Sequence, residues 1–397
     1  MKKPGLGTDA DLYLQRGVSA RKPDVQRAIA NIDPGLFPGA FCKAIPDYLA
    51  GSPEHCVLMH SDGAGTKSSL AYVQYCRTGD ARVFRDIAQD SLVMNLDDLL
   101  CVGATGPFLV SNTIGRNLKR IPGEAIKALI EGYEMFADKL APYGVDLRPC
   151  GGETADLGDL VRTIIADSCI TVRMRRDEFI DASKVKPGHV IVGMASAGQA
   201  TYEDKLNSGA GTNGFTALRH SLFGAEVKAE FPESFAPEIS DVAYLGSHRP
   251  DDPLPGCSMT LIEACLCPTR TYAPIVLRIL ASCRPAISAI FHNTGGGQTK
   301  CLGFGSDVHY VKENLMPLPP LFAHVRTVSG MKDRELLQVF NMGHRVEVVC
   351  DPGVADEVIG VARSFEVDAQ IIGRVESGSG RSLTIAFDGS RLEFVAD

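Results

Sequence analysis

Residues 58–67 combine residue types that could bind a phosphate and a metal ion. They read Leu-Met-His-Ser-Asp-Gly-Ala-Gly-Thr-Lys, a short apolar run that ends in a glycine-containing loop. Gly63 and Gly65 can adopt backbone angles that other residues avoid, so the loop could present its amide groups to an anion. Lys67 offers a positive charge for phosphate, and Asp62 offers a hard oxygen ligand for Mg²⁺. The spacing fits neither the GxxxxGK[ST] loop nor the GxGxxG fingerprint, so alone it predicts either an ordinary turn or a phosphate-binding loop.

A second acidic feature follows in a helix predicted from Val83 to Cys101. Asp86, Asp90 and Asp97 fall on one side of this helix at a spacing of i, i+4 and i+11, and Asp98 is adjacent. A solvated acidic face is the ordinary interpretation of such a pattern. However, the neighbouring residues are mostly apolar or uncharged, and Asp90, Asp97 and Asp98 have no lysine or arginine four positions away. Carboxylates in such surroundings need a cation from elsewhere, and Mg²⁺ is a good candidate.

Two further glycine-rich segments could belong to the same site. Residues 150–156 (Cys-Gly-Gly-Glu-Thr-Ala-Asp) form either a sharp turn before a strand predicted at 161–174 or a second wall of the site. Residues 292–297 (His-Asn-Thr-Gly-Gly-Gly) follow a strand predicted at 287–291. A junction of strand, glycines and helix of this kind can hold a phosphate at the helix N-terminus.

The composition indicates a globular protein with room for two domains. The chain has 397 residues, of which 45% are hydrophobic and 22% are charged. A net charge of −8 argues against nucleic acid as a partner. The 12 cysteines include no CxxC pair, so we expect buried thiols rather than disulfides or a zinc site. We find no signal sequence and no run of 18 apolar residues, and we expect no membrane association and a cytoplasmic location.

The order of the predicted elements indicates an α/β (α+β) fold in two domains, 1–184 and 185–397, separated by the linker-like segment Lys184–His189. Residues 1–50 predict a mobile arm that packs on another surface, such as a second subunit. Segments 199–211 and 223–258 predict long loops that act as lids or partner contacts. The predicted helices cover about 23–32, 83–101, 122–140, 213 onward, 269–282 and 334–340; the predicted strands cover 105–116, 161–174, 190–195, 287–291 and 345–350, and a terminal hairpin turns at Asp388-Gly389.

Six segments in this order resemble the aminoimidazole ribonucleotide (AIR) synthase family. The segments are Asp62–Lys67, Asp90–Asp98, Gly151–Ala155, Pro268–Tyr272, Thr294–Gly297 and Phe340–Gly343. The resemblance runs from about Tyr13 to Val375. It implies two α/β domains, and a homodimer in which the N-terminal sheets pair into a barrel. It also implies an ATP- and magnesium-dependent cyclo-ligase of purine biosynthesis, which converts formylglycinamidine ribonucleotide into AIR.

The resemblance also implies roles for individual residues. The formyl amide oxygen would attack the γ-phosphate of ATP, after which a substrate nitrogen closes the ring and expels phosphate. Asp62, Asp90 and Asp98 would bind magnesium, and Lys67, Glu153 and Asp156 would act in catalysis. The residues implied to bind the nucleotide are Gly63, Gly65, Thr66, Lys67, Thr113, Gly151, Gly152, Asn213, Gly214, Gly295, Gly296 and Gly297.

Departures from the family pattern keep other interpretations open. A histidine-containing loop of the family is replaced by Ser196-Ala197-Gly198, an insertion, and Gly211–Gly214. We expect the inserted loop 199–211 to replace the missing histidine's contact with substrate. Asp97 stands where the family usually has asparagine. The alternatives are a divergent ATP-dependent enzyme that activates another amide or phosphate acceptor, and a nucleotide-binding paralogue without turnover.

Overall fold

The structure is a computed structural model that describes residues 12–19 and 23–396. The predicted N-terminal arm therefore lies partly outside the described residues. The strands are β1 (Ala44–Pro46), β2 (His55–Gly63), β3 (Phe108–Arg116), β4 (Leu147–Asp156), β5 (Ile164–Arg175), β6 (Val190–Ala195), β7 (Ala197–Gly198), β8 (Asn207–Ser208), β9 (Ile287–His292), β10 (Val308–Lys312), β11 (His344–Cys350), β12 (Ala369–Ser377), β13 (Arg381–Phe387) and β14 (Ser390–Val395). The helices are α1 (Leu12–Gln15), α2 (Pro23–Ile29), α3 (Lys67–Thr78), α4 (Val83–Leu100), α5 (Gly123–Leu140), α6 (Phe215–Leu222), α7 (Ala225–Glu230), α8 (Leu261–Leu266), α9 (Ala273–Cys283), α10 (Pro320–Val328), α11 (Asp333–Val339) and α12 (Ala355–Ser364).

A five-stranded sheet in the order β1-β2-β5-β3-β4 forms the first half of the fold. Its central strand, β5, alternates buried and more exposed side chains, as expected of a strand with one face on a core. Helix α4 packs on the inner side of β2 and β5, and α5 packs on α4. The predicted mixed α/β fold is confirmed, including the helices near 83–101 and 122–140.

A seven-stranded sheet in the order β14-β13-β10-β12-β6-β11-β9 forms the second half. Every residue of β11 is buried because β6 and β9 flank this strand and helices cover it. The terminal hairpin turns at Asp388-Gly389 as predicted, and both residues have positive φ (49° and 76°), as a two-residue hairpin turn requires. The predicted domain limit at residue 184 falls between the two sheets and stays a prediction.

Helix α4 is buried on nearly all sides because it lies between the two halves. One side meets β2 and β5, and another meets α9 and β9. A helix in such a position is normally apolar all round. Helix α4 is not, since Asp90, Asp97 and Asp98 are all buried within it. The packing of these three carboxylates therefore determines how the two halves fit together.

Two local predictions were wrong. Residues 150–156 form the end of β4 rather than a sharp turn, because Gly152 lets Asn112 of β3 approach where a Cβ would lie 2.4 Å from its carbonyl oxygen. The helix predicted from residue 269 begins at Ala273, since residues 269–272 are used to bind α4. Segments 199–211 and 223–258, predicted as long loops, contain short elements that include β8 and α7.

None of the helices within residues 12–19 and 23–396 is long and apolar enough to cross a bilayer.

A buried ion pair anchors the glycine-rich turn that follows β9. Lys312 Nζ lies 2.6 Å from Glu347 Oε1, and neither side chain is exposed. The same ammonium group donates to the carbonyl oxygen of Gln298, at 2.7 Å. The amide of Asn293 donates to Glu347 Oε1 at 2.7 Å. The pair thus ties β10 and β11 to both ends of the turn at residues 294–297.

Removal of one partner from this pair should destabilise the protein more than removal of both. Lys312→Met leaves an uncompensated buried carboxylate and should cost about 3–5 kcal/mol of unfolding free energy, whereas Lys312→Met with Glu347→Leu should cost clearly less. Urea unfolding measures both variants. Arg374→Met, which breaks an exposed pair with Glu313, is the control and should barely shift the midpoint. Equal losses in the single and double variants would contradict this account.

Candidate active site at the junction of the two halves

The glycine loop after β2 is shaped by close backbone approach. Strand β2 ends at Gly63, whose amide donates to Asp62 Oδ1 at 2.7 Å. A Cβ on Gly63 would lie 1.8 Å from Asp167 Oδ1 on the neighbouring strand, so only glycine fits. Helix α3 begins at Lys67, and the hydroxyl of Thr66 lies 2.9 Å from that of Thr216 in α6. The loop thereby joins the two halves of the molecule.

Lys67 points into the protein interior rather than into the loop. Its side chain is fully buried, and its Nζ lies 2.8 Å from Asp90 Oδ1 and also donates to the carbonyl oxygen of Cys267. The same carboxylate oxygen accepts hydrogen bonds from the amide and hydroxyl of Thr269, at 2.8 and 2.6 Å. The cation that the sequence analysis expected near Asp90 is therefore Lys67 in this structure.

Asp97 is held by the segment that precedes α9. The hydroxyl of Thr271 donates to one carboxylate oxygen at 2.6 Å, and the amide of Tyr272 donates to the other at 2.9 Å. Burial raises the pKa of Asp97 to about 6, although both hydrogen bonds oppose the shift. Asp97 therefore acts as an attachment point for residues 269–272.

Asp98 is the centre of a chain of polar contacts between the two sheets. His292 Nδ1, at the end of β9, lies 2.7 Å from Asp98 Oδ1, and His60 Nε2, on β2, lies 3.3 Å from Asp98 Oδ2. The other ring nitrogen of His60 lies 2.9 Å from Asn95 Oδ1. Burial favours the neutral carboxyl, but the hydrogen bond and charge of His292, with Lys300 and His60, lower the pKa of Asp98. Asp98 is thus held as a carboxylate.

Asp62 and Asp167 bring further negative charge to the same end of the sheet. Desolvation, and then the charge of Asp98, raise the pKa of Asp62. Desolvation, and then the charge of Asp62, raise the pKa of Asp167. Among the described residues, no three potential ligands surround a common point. Mg²⁺ commonly keeps several waters and needs only one or two protein carboxylates beside a nucleotide phosphate. The mutually repelling carboxylates of Asp62 and Asp98 fit that requirement.

The other residues of the first sheet to which the family resemblance gives a role lie in a row across its strands. In the strand register, Gly63 pairs with Asp167, Asp167 with Thr113, and Thr113 with Glu153. With neighbouring strands about 4.8 Å apart, Glu153 lies about 14 Å from Gly63. Glu153 is exposed, as are Gly151 and Gly152 before it. Asp156 lies three residues further along β4, where it pairs with Arg116 at 2.8 Å.

A cavity of about 570 Å³ brings together residues from both halves of the chain. Gly214 precedes α6 with φ of 72°, and a Cβ there would lie 2.6 Å from the ring of Phe340. Gly297 packs against the backbone of Phe340 and lies behind the cavity wall. Of the residues implied by the resemblance, those that line the cavity are Thr66, Asn213, Gly214, Gly295 and Gly296.

Loop 199–211 does not reach this cavity. Glu203 instead pairs with the buried Arg270, and Lys205 and Leu206 line a separate cavity against α3, α4 and α8. The expected contact of this loop with substrate stays a prediction.

The polar pairings of the junction were not predicted from the sequence. His60 precedes Asp62 by two positions in a strand, so period-2 alternation could have placed it on the same face. His292 and residues 269–272 gave no such signal, because their partners lie about 200 positions away in the chain. Long-range polar pairing of this kind is set by the tertiary fold.

The pKa of Asp97 predicts a pH dependence of stability. Its folded pKa of about 6 exceeds the unfolded value of about 3.9, so the folded state takes up a proton first as the pH falls. The contribution of this group to unfolding free energy therefore rises as the pH falls from about 7 to 4. Asp97→Asn should remove this contribution, worth about 2–3 kcal/mol over that range.

Urea unfolding of both proteins at several pH values measures the effect. The difference in unfolding free energy between wild type and Asp97→Asn should change steadily from pH 7 to pH 4. Asp138→Asn, at an exposed position of α5, is the control, and its unfolding free energy should vary with pH as that of the wild type does. A parallel profile for Asp97→Asn as well would show that Asp97 has an ordinary pKa.

Comparisons with known proteins agree with this architecture. Curated relatives include a phosphoribosylformylglycinamidine cyclo-ligase of Methanocaldococcus jannaschii, 28% identical over 83% of this chain and 81% of the relative. An enzyme of the same name from Parasynechococcus marenigrum is 28% identical over 83% of this chain and 84% of its own length. A solved structure of T. maritima PurL complexed with ADP shares the fold, with a TM-score of 0.51 and 14% identity over 95% of this chain and 48% of that chain.

Two family models match the chain in order along its length. Residues 44–172 match the N-terminal domain of AIR synthase related proteins, and residues 267–386 match the C-terminal domain. The first match contains the five-stranded sheet and α4, and the second contains α9, β9 and most of the seven-stranded sheet. Since the two matches together cover more than half of the sequence, the chain belongs to the AIR synthase related protein family.

Proposed function

We propose that this chain is a cytoplasmic enzyme that catalyses the reaction named in its curated relatives. ATP would drive the conversion of formylglycinamidine ribonucleotide into AIR, ADP and phosphate. The cavity where Thr66, which follows Asp62 by four positions, meets residues 213–214 and 295–296 is the observation that carries this proposal. The twelve cysteines are all free thiols, which suits a reducing compartment.

We assign the nucleotide phosphates to the N-terminal end of α3. Helix α3 has 12 residues, no acidic residue in its first turn, and no side-chain cap on its first amides. Those amides and the helix dipole favour an anion at this end. The hydroxyl of Thr66 is held there by Thr216. Lys67 supports the site indirectly, since it fixes the first turn of the helix to Asp90.

Asp62 and Asp98 are the residues we assign to magnesium. A bound magnesium ion would neutralise charge on the phosphates. His60 and His292 orient the carboxylate of Asp98, as partners of metal-binding groups commonly do. We assign Asp90, one of the three metal ligands implied by the resemblance, to the positioning of Lys67 and Thr269 instead.

The chemistry requires orientation more than acid–base groups. The formyl oxygen of the substrate attacks the γ-phosphorus and ADP leaves; a substrate nitrogen then attacks the activated carbon, loses a proton and expels phosphate. Both steps depend on in-line placement and on stabilisation of negative charge. The residues of the cavity wall, Asn213 and Gly295, come from the second half of the chain, so closure of this junction would exclude water from the reacting groups.

Purified protein with ATP, Mg²⁺ and formylglycinamidine ribonucleotide should form ADP, phosphate and AIR in equal amounts. Asp62→Asn should lower kcat by about 100-fold or more, because it removes charge next to the transferred phosphoryl group. Asp138→Asn should retain wild-type activity. Phosphate release without AIR, or no reaction in the wild type, would show that the chain acts on another substrate or does not turn over.

The outer face of the five-stranded sheet supports the expected homodimer. Met59 and Leu109 are 67% and 44% exposed, and both lie beside Thr171 of β5 in the strand register. Ile165 adds a further exposed apolar side chain on the same strand. Exposed apolar side chains on an uncovered sheet face are typical of a subunit interface. A second copy would also extend the row that ends at Glu153.

Charged residues on this face should separate the subunits. Met59→Lys combined with Leu109→Lys should convert a dimer to a monomer in light scattering, because the buried ammonium groups would have no partners. Leu245→Lys, at a position that is 57% exposed in the second half, serves as the control and should remain dimeric. A monomeric wild type, or a dimer that survives the double substitution, would contradict the proposed interface.

A further inference from the structure

A second cavity, of about 480 Å³, adjoins the first and is lined by three arginines. Both cavities share Val18, Thr66 and Thr216, so one ligand could occupy both. The arginines are Arg16, Arg162 and Arg219. Part of the wall comes from the segment 223–258, including Ser234 and Phe235.

Arg16 is buried and bonded only to neutral groups among its contacts in the described residues. Its guanidinium donates to the carbonyl oxygens of Val242 and Ala217, at 3.2 and 3.1 Å, and to the hydroxyl of Ser221 at 2.8 Å. Burial lowers the pKa of Arg16 to about 10, Glu335 opposes the shift, and the positive charge of Arg219 adds to it. Two buried guanidinium groups therefore lie close enough to repel each other.

Arg219 is likewise buried and bonded to neutral groups. It donates to the carbonyl oxygen of Ser234 at 2.6 Å and to the hydroxyl of Tyr244 at 2.9 Å. Its Nε is buried and has no partner within the described residues. Arg162 is exposed at the rim, where its contacts are the carbonyl oxygens of Glu233 and Pro232, at 3.3 and 3.5 Å.

No carboxylate of the described residues forms an ion pair with any of the three arginines. Glu233, which also lines the cavity, is occupied by Arg120 at 3.2 Å and by the hydroxyl of Tyr72. Asp167 also lines the cavity, and it is close enough to Asp62 for the two charges to interact. Buried guanidinium groups without a counter-ion are costly, and their fork of donors matches the oxygens of a phosphate. The cavity is therefore built for an anion.

We propose that the arginine cavity binds the 5′-phosphate of the ribonucleotide substrate, an inference that rests on the proposed function. The ribose 5-phosphate moiety would lie against Arg16, Arg162 and Arg219, and the reacting amide would extend past Thr66 into the first cavity. Segment 223–258 then serves substrate recognition, since it supplies Ser234 and Tyr244, which fix the guanidinium of Arg219.

Calorimetry with ribose 5-phosphate as probe tests the assignment, with neutral ribose as the ligand control. Arg162→Gln should weaken binding of ribose 5-phosphate about tenfold or more and leave Mg-ATP affinity unchanged. Arg219→Lys should act in the same direction, because lysine cannot reproduce the fork. Arg278→Gln, at an exposed position of α9 that lines neither cavity, is the matched control and should change nothing. In turnover, Arg162→Gln should raise KM for the ribonucleotide and keep kcat.

Several outcomes would overturn the assignment. These are no binding of ribose 5-phosphate to the wild type, unchanged affinity in Arg162→Gln, or a loss confined to Mg-ATP, which would assign the cavity to the ATP phosphates. The exposed position of Arg162 keeps the test valid even if Arg219→Lys fails to fold. Arginine-dependent binding of ribose 5-phosphate in a protein that forms no AIR would refute the proposed function and leave the phosphate site standing. Normal AIR formation with unchanged KM in Arg162→Gln would refute the phosphate site and leave the proposed function standing.

Discussion

The burial of three carboxylates in one helix is the constraint on which the rest of the structure depends. Helix α4 lies between the two sheets, where an unpaired carboxylate would be strongly unfavourable. Each aspartate is bonded to its own set of partners, most of them in distant parts of the chain, although the buried Oδ2 of Asp90 has no partner among the described residues. Asp90 receives Lys67 and Thr269, Asp97 receives residues 271–272, and Asp98 receives His292. The charges of α4 therefore specify how the second half of the molecule docks on the first.

This docking has a direct consequence for the site. The contacts of residues 269–272 and His292 with α4 bring the glycine turn after β9 towards the loop that begins α3. The buried pair of Lys312 and Glu347 holds that turn from behind. The two cavities at the junction are then walled by elements that no single half of the chain could supply. Asp62 remains exposed at the edge of the junction, so the carboxylate of Asp62 stays accessible to a ligand.

The sequence predicted local features well and pairings poorly. Periodicity identified α4 and α5, and the Asp388-Gly389 turn identified the last hairpin, because each depends on neighbouring residues. The acidic pattern of α4 also indicated that its carboxylates need cations from elsewhere, which holds for Asp90 but not for Asp97, whose partners are neutral. That Lys67 supplies one of them could not be predicted, since a lysine in a glycine loop equally suggests a phosphate ligand. A turn was predicted at Gly152 because a glycine in a turn and a glycine that lets two strands approach closely look the same in the sequence.

The arginine cavity illustrates the same limit. Arg16 and Arg219 lie about 200 positions apart, and nothing in their local sequence indicates that they share a cavity. Their burial without a carboxylate becomes evident only from the tertiary contacts. The junction therefore holds cationic groups and, in Asp62 and Asp98, anionic groups. A phosphorylated substrate and a magnesium-bound nucleotide require opposite charges of this kind.

The central claim is that the junction transfers a phosphoryl group to the formyl oxygen of the substrate before the ring closes. The most direct measurement uses substrate labelled with ¹⁸O in the formyl group and follows the mass of the phosphate released. Transfer of one labelled oxygen to each phosphate is the result that this account predicts. Unlabelled phosphate, with the label released into water as AIR forms, would contradict it.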